Sequence, residues 1–127
     1  MSNSLDLSAW PLVQAAQAGR MTLDDAAELE TGMRALLARA QAENRRFALV
    51  VDQRERRAPE KGALEGVHAF WDAHAEEIAT WCLAYASVVA TPDLAALVVN
   101  PGPGGLVVFG TTDHEEAVSW AKERLAA

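Results

Sequence analysis

Phe47-Ala48-Leu49-Val50-Val51 sets five apolar side chains in a row and then stops at Asp52. A strand with one wet face alternates apolar and polar residues. A run that is apolar at every position needs cover on both faces, as in the middle of a parallel sheet layered with helices. Such an element obliges the rest of the chain to supply that cover.

The flanking sequence carries helical patterns. Thr22 is placed to cap free amides, and Asp24 and Asp25 follow at the positive end of the dipole. Apolar residues then recur at Leu23, Ala26, Ala27, Leu29, Met33, Leu36, Leu37 and Ala40, a helical stripe. Pro59 suits the first turn of a second helix, where its missing donor costs nothing. Leu64, Val67, Trp71, His74, Ile78 and Trp81 give that helix one apolar stripe. Cys82 to Ala90 reads as another central strand. Thr91-Pro92-Asp93 opens a short helix over Leu94 to Val98, and the loop Asn100 to Gly105 is too rich in Pro and Gly for either element. Leu106 to Phe109 reads as a further strand. Thr112 and Glu115 have capping-box spacing at the head of the last helix, which buries Ala117, Val118, Ala121 and Leu125. Trp10 to Val13 is the first strand, before a turn at Ala18-Gly19-Arg20.

The predicted order is β-α-β-α-β-α-β-α. Alternation of this kind requires crossover connections, so the fold class is α/β, with a mainly parallel four-stranded sheet and helices packed on it. It occupies residues 10–127 as a single domain, after an N-terminal tail over residues 1–9. The 127 residues, half of them apolar, can bury a core without staples. Cys82 is the one cysteine, so no internal disulfide forms, and its apolar neighbours predict a buried thiol. A net charge of −7 opposes non-specific attraction to nucleic acid or an anionic bilayer. No stretch approaches the roughly 20 apolar residues of a membrane span. The opening MSNSLDLSAW lacks the basic start and apolar run of a signal peptide, so the expected location is cytoplasmic.

Several segments together resemble the small SpoIIAA-like domains, relatives of the STAS (anti-sigma-factor antagonist) fold with kinship to the CRAL-TRIO lipid-transfer fold. They are Gly19-Arg20-Met21-Thr22-Leu23-Asp24-Asp25, the strand Phe47 to Asp52, His74-Ala75-Glu76-Glu77-Ile78, Ala84-Tyr85-Ala86-Ser87-Val88-Val89, and Val107-Val108-Phe109-Gly110 before Glu115 to Trp120. The resemblance covers residues 10 to 126 and implies binding or regulation more than catalysis. Phosphorylatable STAS antagonists carry a Ser at the turn after the central strand. Here that turn, Asp52 to Pro59, has neither Ser nor Thr, so the phosphorylation switch is not carried over.

Two places are candidate sites. From Gln53 to Lys61 six of nine residues are charged, and Arg54, Arg56 and Arg57 make the turn locally positive in an acidic chain. At the carboxyl end of a central strand and the start of a helix, such a turn suits an anion or a protein partner, with Asp52 as an anchor accepting backbone amides. A solvated connection with locally paired charges is the competing reading. The second place is an apolar ligand pocket between the second helix and the sheet, near Trp71, His74 and Tyr85. Ala84, Ala86, Gly62 and Gly66 would leave room there, although close helix-on-sheet packing needs small residues too. Glu65, His68, Asp72 and Glu76 share one helical face, but this face is expected to be solvated, and no metal site is assigned. No catalytic set, nucleotide loop or cofactor motif is complete.

The leading expectation is a non-enzymatic regulatory module working through contacts with another protein or a second copy of itself as a homodimer. The alternative is a carrier or sensor of a small apolar or lipid-like ligand. A third reading is a small enzyme using His74 with Asp52 or Glu65. No cofactor is expected under any of them.

Overall fold

The computed structural model describes residues 2–127. Phe47–Asp52 forms β3, and every one of its first five residues is buried. It lies in the middle of the sheet, between β2 (Leu12–Arg20) and β5 (Cys82–Val88), parallel to both. Its side chains alternate between two cores. Phe47, Leu49 and Val51 join residues of α1 (Leu23–Glu43), α2 (Ala63–Ala73) and α3 (Ala75–Trp81). Ala48 and Val50 join Ala84, Ala86 and Val88, against Ala117 and Ala121 of α5 (His114–Ala126). Period-two geometry thus turns one apolar run into the shared wall of two layers.

β6 (Val108–Thr111) adds a parallel strand beside β5, and β1 (Ser2–Asp6) pairs antiparallel with the outer side of β2. The sheet order is β1-β2-β3-β5-β6, with the two-residue β4 (Arg56–Arg57) set beside the far end of β2. The domain is α/β with a mainly parallel sheet, as the sequence predicts, but among the described residues the sheet has six strands rather than four. β1 falls in the stretch expected to be a tail. Its sequence, SNSLD, is polar because an edge strand is held by its backbone pairing and asks little of its side chains. β2 runs through the turn expected at Ala18-Gly19-Arg20, where Gly19, at a φ of 79°, lets the chain bend while still pairing with β4.

Helix boundaries follow the capping chemistry. The Thr22 hydroxyl accepts from the Asp25 amide at 3.1 Å, and the Asp25 carboxylate accepts from the Thr22 amide at 2.8 Å, a reciprocal capping box. Asn44 ends α1 in the left-handed region at a φ of 49°. The Thr91 hydroxyl caps α4 (Pro92–Ala96). At α5 the cap is Asp113, one residue later than expected, because its carboxylate accepts from both Glu115 and Glu116. The long second helix of the sequence reading is two helices, broken at His74. Pro59 precedes α2 by several residues, and Gly62, with a φ of 88°, turns the chain into it. The 3-10 turn Pro103–Gly105 packs close to the start of α3; a Cβ on Gly104 would stand 2.5 Å from the Ala75 carbonyl oxygen.

Phe47 is fully buried and stacks on Trp10 with ring centroids 5.8 Å apart. Replacing it by Ala removes that contact and leaves a cavity in the larger core. Phe47→Ala should lower unfolding free energy by about 3–5 kcal/mol in a denaturant titration.

Candidate functional site

The exit of β3 does not lead into a helix. After Asp52 the chain makes a tight excursion, with the Gln53 amide donating to the Val88 carbonyl at 2.7 Å and the Arg56 amide to the Gln53 carbonyl at 3.2 Å. It then returns as β4 to pair with Gly19 and Arg20. The expectation of unpaired helix amides behind the arginines is therefore corrected: α2 begins only at Ala63, and the arginine turn gains nothing from its dipole.

The three arginines separate. Arg54 forks onto Asp52, with Nε to Oδ1 at 3.0 Å and Nη2 to Oδ2 at 2.8 Å, while its amide donates to the same carboxylate at 3.1 Å. Asp52 is thus an anchor for its own turn, and these hydrogen bonds from Arg54 hold its carboxyl below the ordinary carboxylate range. Arg57 is exposed. Arg56 is half-buried and turns toward the sheet, where Nη1 donates to Gln53 Oε1 at 2.6 Å.

Gln53 connects this turn to the second candidate. Its Nε2 donates to the Tyr85 hydroxyl at 3.4 Å, and Tyr85 meets the edge of Trp71 at 5.5 Å with the rings at 81°. Trp71, Tyr85, Gln53 and Arg56 all line one cleft of about 890 Å³ between the sheet and the first two helices. Its floor is Ala15, Leu49, Val51 and Val108; Gly32, Met33 and Leu36 of α1 and Leu64, Val67 and Phe70 of α2 form walls. Val99, Pro101 and Pro103 belong to its rim. The volume lies within the range of small-molecule sites, and the predominantly apolar lining with a few polar groups is their usual chemistry. Burial pushes the Tyr85 hydroxyl up to about 12, against the opposing pull of Arg56 and the Gln53 hydrogen bond.

His74 does not join Trp71 and Tyr85. It sits at the break between α2 and α3, stacked on Phe70 at 4.6 Å with Nδ1 3.5 Å from Glu77 Oε2, in a small separate groove with Arg34 and Gln41. A helix stripe drawn through position 74 fails because the helix stops there. The break also puts Glu76 on a different helix from Glu65, His68 and Asp72. Among the described residues no group of His, Cys, Asp and Glu is arranged to hold a metal ion. Ala84 and Ala86 face α5 rather than the cleft, so their small size serves helix packing. The room in the cleft comes instead from Ala15 and Gly32; a Cβ on Gly32 would find only Leu5, at 3.9 Å. Cys82 is buried, and desolvation raises its thiol to about 12, which removes it as a nucleophile.

Gln53 was missed by sequence reasoning, although the alternation Leu49, Val51, Gln53 places it on the cleft side of the strand exit. No protein-family profile and no curated protein matches the chain. Among solved structures it is similar to an uncharacterised DUF3478-family protein with a SpoIIAA-like fold from Shewanella loihica PV-4. The TM-score is 0.65 at 17% identity, over 94% of this chain and 92% of the other. It is also similar to the anti-sigma factor antagonist SpoIIAA in its unphosphorylated form, with a TM-score of 0.61 at 10% identity over 95% and 98% of the two chains. The chain has the SpoIIAA-like fold. No helix among its described residues is long and apolar enough to cross a membrane.

Asp52 supplies a pH test of the turn. Its folded carboxyl titrates below its unfolded one, so its contribution is complete above the ordinary carboxylate range and disappears as pH falls through the lowered folded value. Asp52→Asn should cost less than about 1 kcal/mol near neutral pH, since the pair is partly exposed. The difference between the two proteins should shrink toward zero in acid, measured by denaturant unfolding across that range.

Proposed function

We propose that the domain binds a small, predominantly apolar molecule in the cleft between α1, α2 and the sheet and acts as its carrier or sensor. The observation that carries this reading is the cleft itself: about 890 Å³ of space over the same sheet that is sealed by alanines on its other side. A core aiming only at stability would fill that space, because voids forfeit packing contacts. Trp71 and Tyr85 supply rigid aromatic surface to an occupant, and Gly32 and Ala15 supply room. This promotes the alternative of the sequence reading, and the His74 chemistry loses its premise because His74 stands outside the cleft.

Filling the cleft tests the proposal. Gly32→Phe introduces a ring where the nearest atom to a new Cβ is 3.9 Å away, and the substitution also suits a helix better than glycine. The variant should stay folded and lose at least about tenfold in affinity for an apolar fluorescent probe, since a blocked site forfeits its buried area. Native mass spectrometry of protein purified from its own cell should show an adduct on the unaltered chain and none on the variant. Equal probe binding by both proteins would remove the cleft as the site.

A second reading, contact with another protein or a second copy, is favoured by Leu97 and Val99, which are 74% and 72% exposed beside the exposed Leu94. Apolar side chains gathered this way mark interaction surfaces more often than scattered ones do. The SpoIIAA-like fold agrees with it, one solved relative being an anti-sigma factor antagonist. The exposed Arg57, and Arg54 held by Asp52, would offer a separate charged contact at the turn after β3. Changing Leu97 and Val99 together to Glu should abolish any self-association seen by analytical ultracentrifugation; persistence of the associated species would exclude this face.

A further inference from the structure

We propose that the ligand of the cleft is an amphiphile with a single carboxylate head, received by Arg56 and the Tyr85 hydroxyl while its hydrocarbon tail lies along α1 and α2. The inference rests on the cleft being a ligand site and adds the chemistry of what enters it. Its starting point is an imbalance of donors. Arg56 Nη1 is spent on Gln53 Oε1, and Gln53 Nε2 is spent on the Tyr85 oxygen. This chain orients every member so that donors remain: the other N–H groups of Arg56 and the O–H of Tyr85 have no acceptor among the described residues.

The charge is equally one-sided. Arg54 is paired with Asp52, whereas no carboxylate stands within ion-pair distance of Arg56 among the described residues. A half-buried guanidinium without a counter-ion, beside a desolvated hydroxyl, calls for an anionic acceptor, and the two oxygens of a carboxylate match a guanidinium and a phenol together. Position confines this demand to one place. Arg56 is fixed by the pairing of β4 with Gly19 and Arg20, and Tyr85 by its central strand, so the polar group is rigid and the remaining floor is hydrocarbon. Elsewhere the lining carries Glu28, Glu30 and Asp72, with Glu30 already bound to Arg34. Those carboxylates repel further negative charge, which favours a monoanionic head over a doubly charged phosphate monoester.

The experiment compares decanoate with decanol, which share a tail and differ in the head, by displacement of an apolar fluorescent probe from the full chain. Decanoate should bind about ten- to a hundredfold tighter, the range expected of hydrogen bonds to a charged group. Arg56→Met should erase that preference while leaving decanol affinity unchanged, and Arg56→Lys should restore part of it. Tyr85→Phe, which keeps the ring and its Trp71 contact, should lose about three- to tenfold for decanoate alone. It decides the question even if the Arg56 variants do not fold. Equal binding of acid and alcohol, or an equal loss of both in Arg56→Met, overturns the carboxylate assignment and leaves the apolar cleft standing. Failure of both compounds to displace the probe overturns the cleft reading and this inference with it.

Discussion

The structure depends on β3 being buried on both faces. Fully burying a side chain such as Val, Leu or Phe contributes about 1.5–3 kcal/mol, and β3 places Phe47, Leu49 and Val51 in one layer and Ala48 and Val50 in the other. Neither layer is complete without the strand they share. Because the strand is fixed from both sides, the place where it ends is fixed too. Asp52, Gln53 and the arginine turn are therefore delivered to one rim of the sheet with little freedom to wander.

The two faces of that sheet are built to different rules. Under α5, Ala84 and Ala86 meet Ala117 and Ala121, and side chains this short let helix and sheet approach until no space remains. Under α1 and α2 the residues are larger, yet the small Ala15 and Gly32 leave their places unfilled, and a gap persists between the layers. Large aromatic rings around a gap are a poor way to gain stability and a good way to hold a guest. The polar chain of Arg56, Gln53 and Tyr85 closes one end of this space, linking a surface turn to an interior that otherwise offers hydrocarbon.

Much of the scaffold could be read from residue order. The central strand, the Thr22 cap, the Thr91 cap and the inward residues Ala117 and Ala121 of α5 all have local signatures, because each depends on neighbours within one or two turns. The resemblance to SpoIIAA-like domains, carried on those same segments, agrees with the fold. Elements lacking such signatures were hidden. β1 is a polar edge strand paired along the backbone of β2, and β4 is two arginines that become a strand only because β2 runs on as far as Gly19 and Arg20. The helix break at His74 follows no Pro or Gly at that position, so the continuous stripe through it was misleading, and His74 left the predicted pocket.

Sequence by itself determined the layered α/β architecture, since hydrophobic periodicity and caps are local properties that any chain with this pattern must satisfy. It also named Trp71, Tyr85 and Arg56 as residues of interest, though in two separate places. Only the tertiary structure decided that they line one cleft, that Arg54 is spent on Asp52 while Arg56 points inward, and that Gln53 joins them. The physical reason is distance along the chain. Gln53 and Tyr85 lie 32 residues apart and meet only because β3 and β5 are neighbours, a pairing set by the packing of the whole sheet rather than by any local preference.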